Sequence, residues 1–129
     1  MSLQETNTGI IRKVGFIHNG TINSFNEDIY LITVYVAGLF HYVDMNTFDK
    51  KINKKDSLDL FREPDNEYDK KAIMVKFKDK KIGYVPRQYN LILANLMDAG
   101  KMLYGKVSSV SPGVYEGELD ISFKIFMND

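Results

Sequence analysis

"AIMVKFKDKKIGYVPRQYNLILANLMDAG", residues 72–100, decides the fold. Ile73, Val75 and Phe77 alternate with Met74 and Lys76, so 72–77 reads as a strand. "KDKK" is a tight connection, and "KIGYV" (81–85) returns as its hairpin partner. Pro86 has no N–H for a ladder and stops the sheet. Tyr89, Ile92, Leu93, Leu96 and Met97 then follow the spacing of one buried helical face. Gly100 caps it, so one amphipathic helix runs from about 87 to 99.

Upstream, "SLDLF" (57–61) is a further strand, and Pro64 lies past its end. "EPDNEYD" (63–69) carries turn chemistry, because Asp and Asn side chains bond their own backbone. "DIYLITVYVAGLFHY" (28–42) is β-branched and aromatic, with apolar residues on both alternating faces. That pattern predicts a central strand, with Gly38 allowing a bend. Residues 44–56 read as a charged loop with a short helical turn. Downstream, 101–110 and 115–127 flank a Ser111-Pro112-Gly113 turn, and Leu119, Ile121, Phe123, Ile125 and Met127 alternate. Residues 1–27 form a polar N-terminal extension, partly irregular, in which "IIRKVGFI" has the makings of a short strand. The expectation is a mostly β domain over 28–129, a small barrel of five to seven strands with one main helix.

The chain has 129 residues, 44% hydrophobic and 26% charged, which suits one globular domain with a proper core. It has no cysteine, which excludes disulfides, thiolate catalysis and cysteine-bound zinc and agrees with a cytoplasmic setting. The apolar run 29–43 is broken by Thr33, Gly38 and His41, too short to cross a bilayer, and no signal peptide is evident, so no membrane partner is expected. His18 and His41 are the two histidines, so a His-rich metal site is not available. Nucleotide-loop, nucleophile-elbow and zinc-protease motifs are absent, and Glu116 with Glu118 reads as a solvated pair near a turn. A non-catalytic protein without cofactor is expected. Net charge is zero, against a strong non-specific nucleic-acid binder. Its distribution is uneven: Arg62–Arg87 holds eight basic and five acidic residues, and 88–129 holds three and five.

The series Arg62-Glu63-Pro64-x-Asn66-x-Tyr68-Asp69-x-x-Ala72-Ile73-x-Val75, then Ile82-Gly83-Tyr84-Val85-Pro86-Arg87, a helix and Gly100, resembles the HIRAN domain over about 34–110. The resemblance implies a small β-barrel related to the OB and SH3-like folds. It implies binding of single-stranded DNA or DNA ends, at a free 3′ end in the best understood relatives, in a setting of fork remodelling and DNA repair. In those relatives aromatic rings sandwich terminal bases, a carboxylate accepts from the 3′-hydroxyl and a basic residue meets the phosphate. By position, Tyr68 matches the stacking tyrosine, Asp69 the carboxylate and Arg87 the phosphate contact. Where the relatives supply an arginine and two tyrosines, this chain has Phe40, His41 and Tyr42. A helicase or another protein acting in trans is an implied partner.

The residues themselves give a reason for such a pocket. A carboxylate repels a phosphate backbone but suits a terminal hydroxyl, where no further phosphate follows. A cation at a helix start opposes the dipole unless a phosphate joins it, as at Arg87. Tyr68 is equally at home as a packed rim residue, Asn66 and Asp69 as turn closers, Phe40 as core. Arg62 and Pro64 are assigned to shape. The alternative is a protein-interaction module on the same barrel with a decayed nucleic-acid site, favoured by zero net charge and Phe40.

Overall fold

The computed structural model describes residues 16–18, 21–23, 28–43, 52–115 and 117–128. The strands are β1 (Phe16–His18), β2 (Thr21–Asn23), β3 (Ile29–Tyr35), β4 (Ser57–Arg62), β5 (Ile73–Phe77), β6 (Lys80–Tyr84), β7 (Met102–Pro112) and β8 (Leu119–Asn128). The helices are α1 (Leu39–Tyr42) and α2 (Asn90–Asp98), the latter preceded by a 3-10 turn, Arg87–Tyr89. β1 and β2 pair with each other, and the other six strands form one antiparallel sheet in the order β3-β8-β7-β4-β5-β6.

The hairpin β5–β6 turns at Lys78 and Asp79, both at positive φ (49° and 67°), the conformation a two-residue hairpin loop demands. Inward residues alternate along each strand: Leu58 and Leu60, Ile73 and Val75, Ile121, Phe123 and Ile125 are buried. Together with Val34, Ile82, Leu93 and Val107 they make one core.

The sheet is open, and among the described residues its two edges meet at a single point. Beyond β3, Ala37 and Tyr84 form an antiparallel bridge by two hydrogen bonds, Ala37 N–H to the Tyr84 carbonyl at 2.8 Å and the reverse at 2.9 Å. The expected barrel is therefore not closed: the strands make an open sheet whose edges touch at one bridge rather than along a ladder. Gly83 permits this contact, since a Cβ there would stand 2.4 Å from the Ala37 carbonyl oxygen.

Three expectations are corrected. The stretch 28–42 is not one central strand: β3 stops at Tyr35, lies at the edge of the sheet, and Gly38 at φ 75° turns the chain into α1. Its doubly apolar pattern reflects an aromatic row on the outer face, with Tyr30 edge-on to Phe126 and Tyr104 stacked on Phe126. Of the expected helical stripe, Leu93 is buried and Leu96 and Met97 pack against the core, joined by buried Asn90 and Ala94, whereas Tyr89 and Ile92 are 42% and 70% exposed. The 3-10 start at Arg87–Tyr89 takes Tyr89 off the α-helical stripe, while Ile92 lies within the α-helix on the edge of the stripe away from Ala94. The last hairpin turns after Pro112, which still belongs to β7. The loop reading of 44–51 lies outside the described residues, as do Glu116 and the Phe40 side chain.

Candidate functional site

The 63–72 loop is shaped by its own side chains. The Asn66 Oδ1 accepts the N–H groups of Tyr68 (2.8 Å) and Asp69 (3.0 Å), an Asx turn that orders both residues. The Asp69 Oδ1 accepts the Lys71 N–H at 2.9 Å, and its carbonyl accepts the Ala72 N–H. Arg62, with a side chain 12% exposed, pins the far side of the loop. It donates to the carbonyls of Ala72 (2.7 Å) and Lys70 (2.9 Å) and pairs with Asp98 at the end of α2 (2.8 Å).

This loop forms one wall of a cleft of about 670 Å³, whose lining includes Tyr42, Tyr68, Asp69, Lys81, Tyr84 and Arg87. That size is ordinary for a small-ligand site, about 300–1,000 Å³. Tyr68 is 81% exposed at the rim. Asp69 lies lower, its side chain 21% exposed. The Asp69 Oδ2 accepts from Asn90 Nδ2 at 2.8 Å and stands 3.6 Å from Arg87 Nε. Asn90 is the buried polar residue of the helix, so its amide fixes the carboxylate from below. Burial works to raise the Asp69 pKa, but the Asn90 and Lys71 hydrogen bonds and the charges of Arg87 and Arg62 outweigh it and lower it. The group is a carboxylate at neutral pH. A carboxylate has about four acceptor positions, and two are filled by hydrogen bonds here. It can accept a further hydroxyl.

Arg87 has a side chain 75% exposed and donates to the Tyr68 carbonyl at 2.9 Å. The opposite wall comes from α1 and β6. Tyr42 meets Tyr84 edge-on at 5.8 Å, and the Lys81 Nζ lies over both rings, 4.3 Å and 4.5 Å from their centres. Lys81 donates to the Tyr84 Oη (2.7 Å), which donates to the Glu63 Oε1 (2.7 Å). The same Glu63 oxygen accepts from Asn66 Nδ2 at 3.0 Å. A continuous hydrogen-bonded arc therefore runs from Lys81 through Tyr84, Glu63 and Asn66 to the backbone of Asp69.

Of the residues expected at a site, Tyr42, Tyr68, Asp69 and Arg87 line this cleft. His41 is exposed, sits edge-on to the Tyr42 ring at 6.4 Å, and is not part of the lining. Lys81, Tyr84, Glu63 and Asn90 were not anticipated. Asn90 had a signal, a lone amide on an otherwise apolar helical stripe; Lys81 had none, being one lysine of a turn. Among the described residues no cluster of three or more His, Asp or Glu could hold a metal ion, and no helix is long and apolar enough to cross a membrane.

Residues 29–128 match the HIRAN domain family model. No curated protein matches the chain. Among solved structures, a protein from Lactobacillus plantarum is similar at 28% identity and a TM-score of 0.67, over 78% of this chain and 95% of that one. The crystal structure of the HIRAN domain of human HLTF is similar in fold, with 21% identity and a TM-score of 0.57, over 79% of this chain and 81% of that one. The NMR structure of the HLTF HIRAN domain gives 22% identity and 0.53, over 79% and 80%.

Proposed function

The chain belongs to the HIRAN domain family, and from that premise we propose that it is a non-catalytic module whose cleft takes the free 3′ end of a single-stranded nucleic acid, DNA in the first instance. The observation that carries the reading is the Asp69 carboxylate. It is fixed from below by Asn90, keeps acceptor positions open, and shares a cleft with an exposed tyrosine and an arginine. A terminal hydroxyl donates to Asp69. The last bases stack on Tyr68 and against Tyr42. Arg87 meets the adjoining phosphate by a charge-assisted hydrogen bond. A terminal phosphate is disfavoured, since Glu63, Asp65, Glu67 and Asp69 all line the cleft. Few cations take part, so affinity is on the order of micromolar and depends weakly on salt.

Fluorescence anisotropy with a 5′-labelled ten-nucleotide oligothymidylate, comparing the parent chain with Tyr68→Ala, tests this. Loss of one stacked base costs about 1–3 kcal/mol, or roughly 5- to 150-fold in affinity. The melting temperature should hold, because that ring is 81% exposed. Equal binding by both proteins refutes the stacking role.

The same four carboxylates facing two cations, Lys81 and Arg87, favour a second reading, a cleft for a protein segment. It is preferred if neither protein binds any oligonucleotide.

A further inference from the structure

Lys81 is set in an unusual way for a residue beside a hairpin turn. Its ammonium lies over the faces of Tyr42 and Tyr84 and donates to the Tyr84 hydroxyl. Among the described residues it forms no direct ion pair with a carboxylate; Glu63 reaches it through the Tyr84 hydroxyl. Burial works against its charge, but that hydroxyl and the Glu63 charge behind it more than offset this and raise its pKa. Of the three N–H donors of an ammonium, one is spent on Tyr84. The result is a charged group held in the wall of the cleft, pre-positioned by two aromatic rings, with donors to spare.

It also occupies a face of Tyr42. A base stacking on that face must displace the ammonium, and the nearest favourable destination for it is the phosphate that the same nucleotide brings in. Ring and cation are thus coupled: the ring that stacks the base delivers the cation to the backbone.

We propose that Lys81 is the second phosphate-binding cation of the cleft, set on the wall opposite Arg87 and released from the Tyr42 ring as a base takes its place. This rests on the strand-end reading above and adds to it a residue and a contact. The cleft then grips one short stretch of backbone from two sides, with Arg87 on the 63–72 loop side and Lys81 on the β6 side.

The test uses the full chain and the labelled ten-nucleotide oligothymidylate, titrated at several salt concentrations with the parent, Lys81→Met and Lys81→Arg. Methionine keeps the stem and the packing on the rings and removes the charge. Lys81→Met should bind about ten-fold more weakly at low salt, and its log–log salt slope should fall by about 0.7, one phosphate contact on a single strand. Lys81→Arg should restore both. Replacing single phosphates near the 3′ end by neutral methylphosphonates should identify one linkage whose neutralisation weakens the parent but not Lys81→Met. Circular dichroism melts report whether each variant is folded. If the parent binds and Lys81→Met binds equally well with the same slope, Lys81 has no phosphate role and the strand-end reading stands. If Lys81→Met binds weakly but every methylphosphonate affects it as it affects the parent, the loss is structural and the proposal falls. If the parent does not bind, both fall together.

Discussion

Replacing Arg62 by methionine should loosen the loop that carries Tyr68 and Asp69, and the structure sets the size of the effect. The guanidinium donates to the Ala72 carbonyl at 2.7 Å, to the Lys70 carbonyl at 2.9 Å and to Asp98 at 2.8 Å and 3.3 Å. Methionine fills much of the stem volume and donates nothing. A hydrogen bond from a charged group is worth about 1.5–3 kcal/mol. The Ala72 oxygen also accepts the Glu63 N–H at 3.0 Å, so it is not orphaned, and its loss belongs at the low end of that range. The Lys70 bond is exposed and water replaces most of it. The Asp98 pair is solvent-screened and adds little. The sum is about 2 kcal/mol, which lowers the melting temperature by roughly 6–10 °C for a domain of this size. Urea unfolding should show a lower midpoint at an unchanged slope. Asp98→Ala, which leaves both carbonyl bonds in place, should shift the midpoint much less. A loop-pinning role for Arg62 is refuted if Arg62→Met stays within about 0.5 kcal/mol of the parent, a change typical of a plain surface site, or if Asp98→Ala matches it.

Gly83→Ala should be worse than Arg62→Met, because the new methyl would lie 2.4 Å from the Ala37 oxygen and 2.6 Å from Val36 Cγ1. We expect a loss of about 3 kcal/mol by overpacking, read by urea unfolding, with the Ala37–Tyr84 bridge opened; a near-parental midpoint would show that the edges need not meet there. Acid should destabilise the chain in a defined direction. Burial acts to raise the Glu63 and Asp69 carboxyls, yet hydrogen bonds and nearby cations leave both below their ordinary values. A depressed folded pKa contributes stability above the unfolded value, about 4, and loses it as pH falls through the folded value. Stability should therefore be level from neutral pH to about pH 5 and fall below it, and Asp69→Asn should flatten that acid limb. An unchanged limb in the variant would remove Asp69 from the account of acid unfolding.

The parts of the fold set by local pattern were legible in the sequence. Alternation at Ile73, Val75 and Phe77 and the stop at Pro86 gave β5, β6 and the end of the sheet, because burial on one face of a strand imposes period two directly. Helix phase was legible in part: Leu93, Leu96 and Met97 face the core, but Tyr89 sits in the 3-10 turn Arg87–Tyr89, and residue types do not separate that turn from a first α-helical turn. The break after Tyr35 was hidden for a related reason. Gly38 allows a bend anywhere, and only contact with Gly83 across the sheet shows why the bend occurs there.

The same division holds at the site. Tyr68 and Asp69 lie in one short stretch with turn chemistry, Arg87 directly follows Pro86 at the start of the 3-10 turn, and all three line one cleft. Lys81 and Tyr84 reach that cleft through contacts with Tyr42 and Glu63, thirty-nine and twenty-one residues away in the chain. A lysine in a charged turn carries no mark of the rings it will rest on. The sequence leaves Asp69 open between turn closer and ligand group. It closes the turn through Oδ1 and holds Asn90 through Oδ2, which leaves a fixed carboxylate for a further donor.

The most direct test of the strand-end account is the affinity of the parent chain for two single strands that differ only at the 3′ terminus, one ending in a hydroxyl and one in a phosphate. Anisotropy at low salt should show the hydroxyl end bound at least about ten-fold more tightly, a difference of about 1.4 kcal/mol, and Asp69→Asn should narrow that gap. Equal affinity for both ends, or tighter binding of the phosphate, would contradict the account, since a carboxylate at the end of the cleft would then not be reading the terminus.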